Sequence, residues 1–229
     1  LLPLLGAGLN GLVGLFWPAY RSREKLIGGA ATALVAIPFL LALYLFVGFG
    51  SGSDPVIVSF YTWMSSGELS LDVAYRIDQL SLLMTLIVTG VGAVIHLYSI
   101  GYMHGDRGYW RFFAYLNLFI FMMLNLVLGN NLPLLFLGWE GVGLCSYLLI
   151  GFWYEDLSNS AAANKAFIVN RIGDFAVLMA MFLLFREIGT LEFTGIFEGI
   201  PEMSTATTTW VVLLLFIGAT GKSAQIPLF

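Results

Sequence analysis

The chain has 229 residues, of which 59% are hydrophobic and only 10% are charged, against about a quarter charged in ordinary soluble domains. A mean hydropathy of +0.89 leaves no stretch polar enough to clothe a soluble domain, and the net charge of −4 says less than where the ten basic residues sit, with no nucleic-acid partner expected. The single cysteine, Cys145, can close no internal disulfide, and no Cys/His spacing suits zinc, an iron–sulfur cluster or c-type haem. These limits leave an all-α, polytopic transmembrane helix bundle.

A helix needs about 20 apolar residues to cross the hydrocarbon core of a bilayer. Apolar runs predict seven spans, near 1–17, 26–49, 80–103, 112–128, 132–154, 163–185 and 210–229. The first lacks a basic lead and an initiating Met, so it is expected to be a span and not a cleaved signal, within a longer protein that continues past Phe229. If the spans alternate, Arg21, Arg23, Lys25, Arg107, Arg111 and Lys165 fall on one side, with Arg171 further in, against Arg76 and Arg186 on the other. Short basic loops stay inside, which places the N-terminus outside. The opposite loops carry Asp54, Glu68, Asp72, Asp78, Glu187, Glu192, Glu198 and Glu202.

One outer loop, 55–78, has β-branched and aromatic residues, a Ser65-Ser66-Gly67 turn and alternation through Leu69, Leu71, Val73 and Tyr75, which predicts a β-hairpin. The last outer loop, 188–209, mixes Leu191, Phe193, Ile196 and Phe197 with Glu192 and Glu198, the pattern of a short interfacial helix. Glycines such as Gly138, Gly141 and Gly143 let helices approach closely. They bind no nucleotide: Gly141 and Gly143 follow no strand, and Gly221-Lys222-Ser223 only imitates a phosphate loop, with Phe216 where its earlier glycine belongs.

The informative residues are charges inside the apolar runs. Glu140 lies near the middle of the fifth, where even mild insertion scales charge about 2.5–3.5 kcal/mol for an acid. Its neighbours one turn away, Phe136, Leu137, Gly143 and Leu144, offer no charge, so it must find a partner on another helix or stay protonated. Lys222 is expected about 12 residues, roughly 18 Å, into the last run, ahead of a Pro227 that would break or kink the helix. An interrupted helix at mid-membrane is where transporters place ion sites; the bland reading is a lysine that snorkels from a true helix end. Arg171 and Asp174, three residues apart on the sixth run, share a face with Asn164 and Phe167 nearby; they serve either proton entry or the pinning of two helices. His96 could relay protons on the third run, although a lone His there is more often a packing residue, and His104 lies in a loop. A buried acid and a buried lysine on different helices make a usable switch. A carboxylate within about 4 to 6 Å keeps a buried amine protonated, and neutralising that carboxylate releases the proton.

Several stretches carry a family resemblance. Tyr75-Arg-Ile-Asp-Gln-Leu-Ser-Leu-Leu-Met84, Val88-Thr-Gly-Val-Gly-Ala-Val-Ile-His-Leu-Tyr-Ser99, Leu137-Gly-Trp-Glu-Gly-Val-Gly-Leu-Cys-Ser-Tyr-Leu-Leu-Ile-Gly-Phe152, Lys165-Ala-Phe-Ile-Val-Asn-Arg-Ile-Gly-Asp174 and Gly221-Lys-Ser-Ala-Gln-Ile-Pro-Leu-Phe229 resemble the chain L, or subunit 5, family of respiratory complex I. That family supplies the antiporter-like subunit of the proton-pumping NADH:quinone oxidoreductase. The resemblance implies that Glu140 is the acid of the fifth helix, Lys222 the lysine of a broken seventh, and Asp174 with Arg171 the charged positions of the sixth, with Lys165 and His96 as weaker candidates for the path. It implies peripheral helices and the hairpin in 1–110, and in 111–229 the start of the first proton half-channel repeat; a second inverted repeat and a lateral helix would lie further along. It further implies no cofactor in this chain, with FMN, iron–sulfur clusters and quinone in partner subunits, and neighbours that include another antiporter-like subunit and lipids. The basic loops would face the bacterial cytoplasm or the mitochondrial matrix.

Two alternatives stand beside proton pumping. Multi-subunit sodium/proton antiporters are similar but usually differ after the Glu, so Gly141 and Gly143 favour complex I. A purely structural membrane anchor would use the same charges only to pin helices. Direct quinone or haem chemistry needs paired axial histidines, and His96 and His104 do not match in face.

Overall fold

The computed structural model describes residues 1–49, 54–67 and 69–229; Glu68, expected among the outer acids, lies outside them. By backbone proximity the chain divides into two compact units, Leu1–Val56 with Arg76–Leu128, and Ile57–Tyr75 with Gly129–Phe229.

The first unit holds α1 (Leu2–Phe16), α2 (Pro18–Arg21), α3 (Glu24–Gly48), α4 (Gln79–Tyr102) and α5 (Tyr109–Leu128). Among the described residues six helices are long and apolar enough to cross a membrane, where the sequence predicts seven; α1 is the shorter one. It contains a π-helical turn at Leu9–Val13 and stops at Trp17, whose φ of −124° and ψ of 89° are those of a residue pushed out of helix by the proline that follows. α4 starts on a reciprocal cap. The Ser81 N–H donates to Asp78 Oδ1 and the Asp78 N–H to Ser81 Oγ, both at 2.8 Å, and Arg76 Nε reaches Asp78 Oδ2 at 2.9 Å. Burial alone would raise the Asp78 carboxyl pKa, but these donors outweigh it and hold the group below the ordinary value. At the far end of α4, the carboxylate of Glu24 binds His104 Nδ1 at 2.6 Å and the Gly105 N–H at 3.2 Å, which ties the start of α3 to the loop between α4 and α5.

The second unit begins with all but the outermost residues of the predicted hairpin, β1 (Val56–Ser66) and β2 (Leu69–Ile77). β1 runs through Ser65 and Ser66, and of the three predicted turn residues it is Gly67, with a φ of +58° that suits glycine, that leaves the strand. The expected alternation along β2 also gives way: its buried residues are Leu71 and Ala74, three apart. The reason is a second pairing. The Ala74 carbonyl accepts from the Asn130 N–H at 2.9 Å and Tyr75 bridges Gly129, so β2 is covered from more than one direction.

That pairing delivers the chain into α6 (Leu132–Ile150). Asn131 caps it by accepting from the Leu134 N–H at 2.9 Å while its own amide donates to the Asp72 carbonyl at 2.8 Å. α7 (Leu157–Ile188) starts on an Asp156 cap earlier than the apolar run suggests, because the polar turn before Ala163 is helical too. α8 (Phe193–Gly199) is the short helix expected in the last outer loop, and α9 (Thr205–Lys222) begins five residues before the predicted run. Leu71, Leu132, Ala180, Met181, Leu184, Leu191, Ile196 and Val211 form the core here, so the hairpin, α6, α7, α8 and α9 bury one another's apolar sides.

Candidate functional site

The charged residues singled out on the fifth, sixth and last apolar runs meet in the second unit. Glu140 stands in the middle of α6, Arg171 and Asp174 lie one turn apart on α7, and Lys222 is the last helical residue of α9. α7 and α9 can bring their groups together because they cross at glycine: a Cβ on Gly173 would stand 3.2 Å from the Gly218 carbonyl oxygen and 3.3 Å from the Gly221 Cα.

Lys222 lies deeper along its helix than the sequence suggests, and the helix breaks immediately after it. The Gln225 N–H returns to the Thr220 carbonyl at 3.0 Å around Ala224, whose φ is +51°, the hydrogen bond of a Schellman turn. The ammonium therefore sits where the negative end of the helix dipole emerges. The helix ends in this turn, ahead of Pro227, and Lys222 is its last residue.

The pairing differs from the simplest sequence expectation. Glu140 forms its ion pair with Arg171, and the carboxylate near Lys222 is Asp174, with Lys222 Nζ 3.8 Å from Asp174 Oδ1. Arg171 Nη1 is also 3.9 Å from Asp174 Oδ2, and its guanidinium lies 4.6 Å from the centre of the Phe167 ring. Glu140, Arg171, Asp174 and Lys222 thus form one alternating series of charges drawn from three helices. Asp174 is its most enclosed member at 3% exposure. The Lys222 ammonium nitrogen is buried with no hydrogen-bond partner among the described residues.

Trp139, which stands in the quoted Leu137–Phe152 stretch but has no expected role there, belongs to this group. Its indole N–H donates to Asp174 Oδ1 at 2.6 Å, and its ring centre lies 5.4 Å from Lys222 Nζ. The available signal was an intramembrane Trp whose N–H requires a partner. Gly143, one turn along α6, leaves space for the lysine: a Cβ there would be 3.0 Å from Nζ.

The other two candidates lie elsewhere. Lys165 is exposed on α7, its ammonium 5.8 Å from the centre of the Phe229 ring. His96 is in the core of the first unit, where Nδ1 meets the Gly92 carbonyl at 2.7 Å and Nε2 meets Asn117 Nδ2 at 3.3 Å. A carbonyl only accepts, so Nδ1 carries the proton and Nε2 accepts from the amide, and both ring nitrogens are satisfied. Among the described residues no three of His, Cys, Asp and Glu stand together as a metal site.

Two family profiles match the chain. One, described as NADH:quinone oxidoreductase/Mrp antiporter, TM, takes residues 129–229, and the other, NADH-ubiquinone oxidoreductase (complex I), chain 5 N-terminus, takes 63–113. NADH-quinone oxidoreductase subunit L of Mycobacterium tuberculosis is 52% identical over 168 residues, covering 73% of this chain and 26% of its own length. Subunit L of Escherichia coli K12 is 45% identical over 231 residues, covering 100% of this chain and 37% of its own length. The chain thus spans well under half the length of these relatives. The solved Mrp complex from Dietzia superposes with a TM-score of 0.82 at 25% identity, over 99% of this chain and 23% of that one. Together the two profiles take in more than half of the residues, including all four members of the charged series, and the chain belongs to the antiporter-like subunit L, or chain 5, family of complex I.

Proposed function

We propose that the chain is a proton-translocating membrane subunit of an NADH:quinone oxidoreductase, moving protons through Glu140, Asp174 and Lys222 while electron transfer in partner subunits supplies the energy. The supporting observation is the series Glu140–Arg171–Asp174–Lys222, alternating in charge across three membrane-length helices. Unpaired charges buried among membrane-length helices are costly, and a series that shares partners can pass a change of protonation along. Protonation of Asp174 removes the negative charge beside Lys222, and the desolvated ammonium then gives up its proton more readily. Protonation of Glu140 frees Arg171 to turn fully to Asp174, which competes with Lys222 for the same carboxylate. Arg171 keeps its charge throughout and serves as the fixed link.

In this reading the chain holds no redox group; FMN, iron–sulfur clusters and quinone belong to partner subunits, and another antiporter-like subunit and lipids surround it. Residues 111–229 are the start of the first half-channel repeat. The membrane is the bacterial plasma membrane or the mitochondrial inner membrane, with the N-terminus outside and Arg21, Arg23, Lys25, Arg107 and Arg111 inside. The contact of Glu24 with His104 supports this, since it holds the first two basic loops at one end of their unit.

The likeness to the Mrp complex favours a second reading, sodium/proton antiport through the same charges. The test is proton pumping by the full assembly in proteoliposomes, with quinone-linked turnover recorded alongside, for Glu140→Gln, Asp174→Asn and Lys222→Met. Loss of both activities in assembled variants supports the proposal. Wild-type rates in all three return the charges to a structural role, and pumping that requires sodium selects the antiporter reading.

A further inference from the structure

The proton-path reading leaves open why Lys222 and Asp174 do not close into a direct salt bridge. Their nearest atoms are 3.8 Å apart, about 1 Å beyond a charge-assisted hydrogen bond, and burial strengthens the attraction between them. What holds them apart is on α6. The Trp139 indole N–H, at 2.6 Å, already occupies Asp174 Oδ1, the oxygen nearest the lysine. The same indole presents its ring to the ammonium at 5.4 Å, a cation–π distance, and Gly143 leaves the gap in which the ammonium rests.

We propose that Trp139 is a positioning residue of the proton path: its N–H fixes the Asp174 carboxylate and its ring supports Lys222, keeping acid and amine adjacent but unbonded so that a proton passes between them reversibly. This inference rests on the proton-path reading. Without the N–H, Oδ1 is free, Lys222 advances to bond it directly, and the proton is held in a closed pair. The charged groups facing Asp174 among the described residues are Arg171 on its own helix, Lys222 from α9 and, through Arg171, Glu140 from α6. α8 joins α7 in the core that holds Ile196, Ala180, Met181 and Leu184, which lie six or more residues beyond Asp174 on α7, and its Glu198 is exposed.

Trp139→Phe separates the two functions of the side chain, because it keeps a ring beneath Lys222 and deletes the donor to Asp174. In the full assembly in proteoliposomes, Trp139→Phe is expected to slow quinone-linked turnover several-fold and to displace its pH profile by about one pH unit. A hydrogen bond to a charged group is worth about tenfold in proton affinity, which is about one pH unit. A merely structural tryptophan would scale the profile without moving it. Trp139→His, which returns an N–H to a ring at this place, is expected to move the profile back towards wild type. Where Trp139→Phe fails to assemble, Gly143→Ala tests the same geometry, since its methyl displaces the ammonium from its seat over the ring. A profile that superimposes on wild type, in Trp139→Phe or in that substitute, overturns the proposal. Lys222→Met in the same preparation separates the two claims. If it pumps at the wild-type rate, the proton path itself is wrong; if it is inactive while Trp139→Phe keeps the wild-type profile, only the positioning role is lost.

Discussion

Glu140→Gln and Arg171→Met, made singly and together, probe whether the charged series acts as one unit. Arg171 is shared by two carboxylates. At 3.9 Å and an effective dielectric of about 20, its attraction to Asp174 alone is about 4 kcal/mol, and its pair with Glu140 adds to that. Arg171 is 39% exposed, so part of this is screened, and about 1.4 kcal/mol, a tenfold rate effect, is a conservative share for the barrier to proton movement. Each single variant is therefore expected to slow pumping-coupled turnover about tenfold or more. Arg171→Met leaves Glu140 and Asp174 without their common cation, so removing the Glu140 charge as well does little further harm. The double variant is expected to match the worse single within about threefold, a coupling energy of about 0.7 kcal/mol or more. The assay is proton uptake into proteoliposomes by the full assembly, normalised to assembled protein. If the two losses multiply to about a hundredfold or more, the residues act independently and the argument from a shared arginine is refuted.

Asp78→Ala removes the cap of α4 and is expected to speed amide exchange in its first turn by the equivalent of about 1 kcal/mol at neutral pH. Because the folded carboxyl pKa is depressed, the wild-type advantage is fully present above the unfolded value of about 3.9 and fades as pH falls through the lower, folded one; an advantage that vanishes already at pH 6 would contradict this. His96→Leu is expected to reduce the yield of assembled complex, since it deletes the partner of the Gly92 carbonyl and of Asn117, while each assembled complex pumps at the wild-type rate. Loss of pumping in fully assembled His96→Leu would restore the histidine to the proton path.

Much of the architecture is legible in the chain itself because bilayer physics is severe. Long apolar runs, the position of an acid in the fifth, and the alternation of the outer loop point to membrane helices and a hairpin, and helices and hairpin are present. The errors lie where local chemistry competes with hydropathy. α7 starts at Leu157 and α9 at Thr205, both ahead of their apolar runs, because capping side chains and helix-bonded hydroxyls such as those of Thr208 and Thr209 satisfy the polar first turns. The four principal site residues were also visible one by one, because charge in an apolar run stands out.

Their partners were not. Spacing along one helix joins Arg171 to Asp174, but nothing in it says that Glu140 takes Arg171, that Lys222 faces Asp174, or that Trp139 stands between them. Those pairings depend on the rotation of α6, α7 and α9 about their axes and on how closely they cross, which Gly173, Gly218 and Gly221 permit only once the helices are packed together. The sequence by itself determined which segments enter the membrane and which charges they must carry, since both follow from transfer free energies of single residues. Only the tertiary structure decided which charge meets which, because that is a property of contacts between helices distant in the chain.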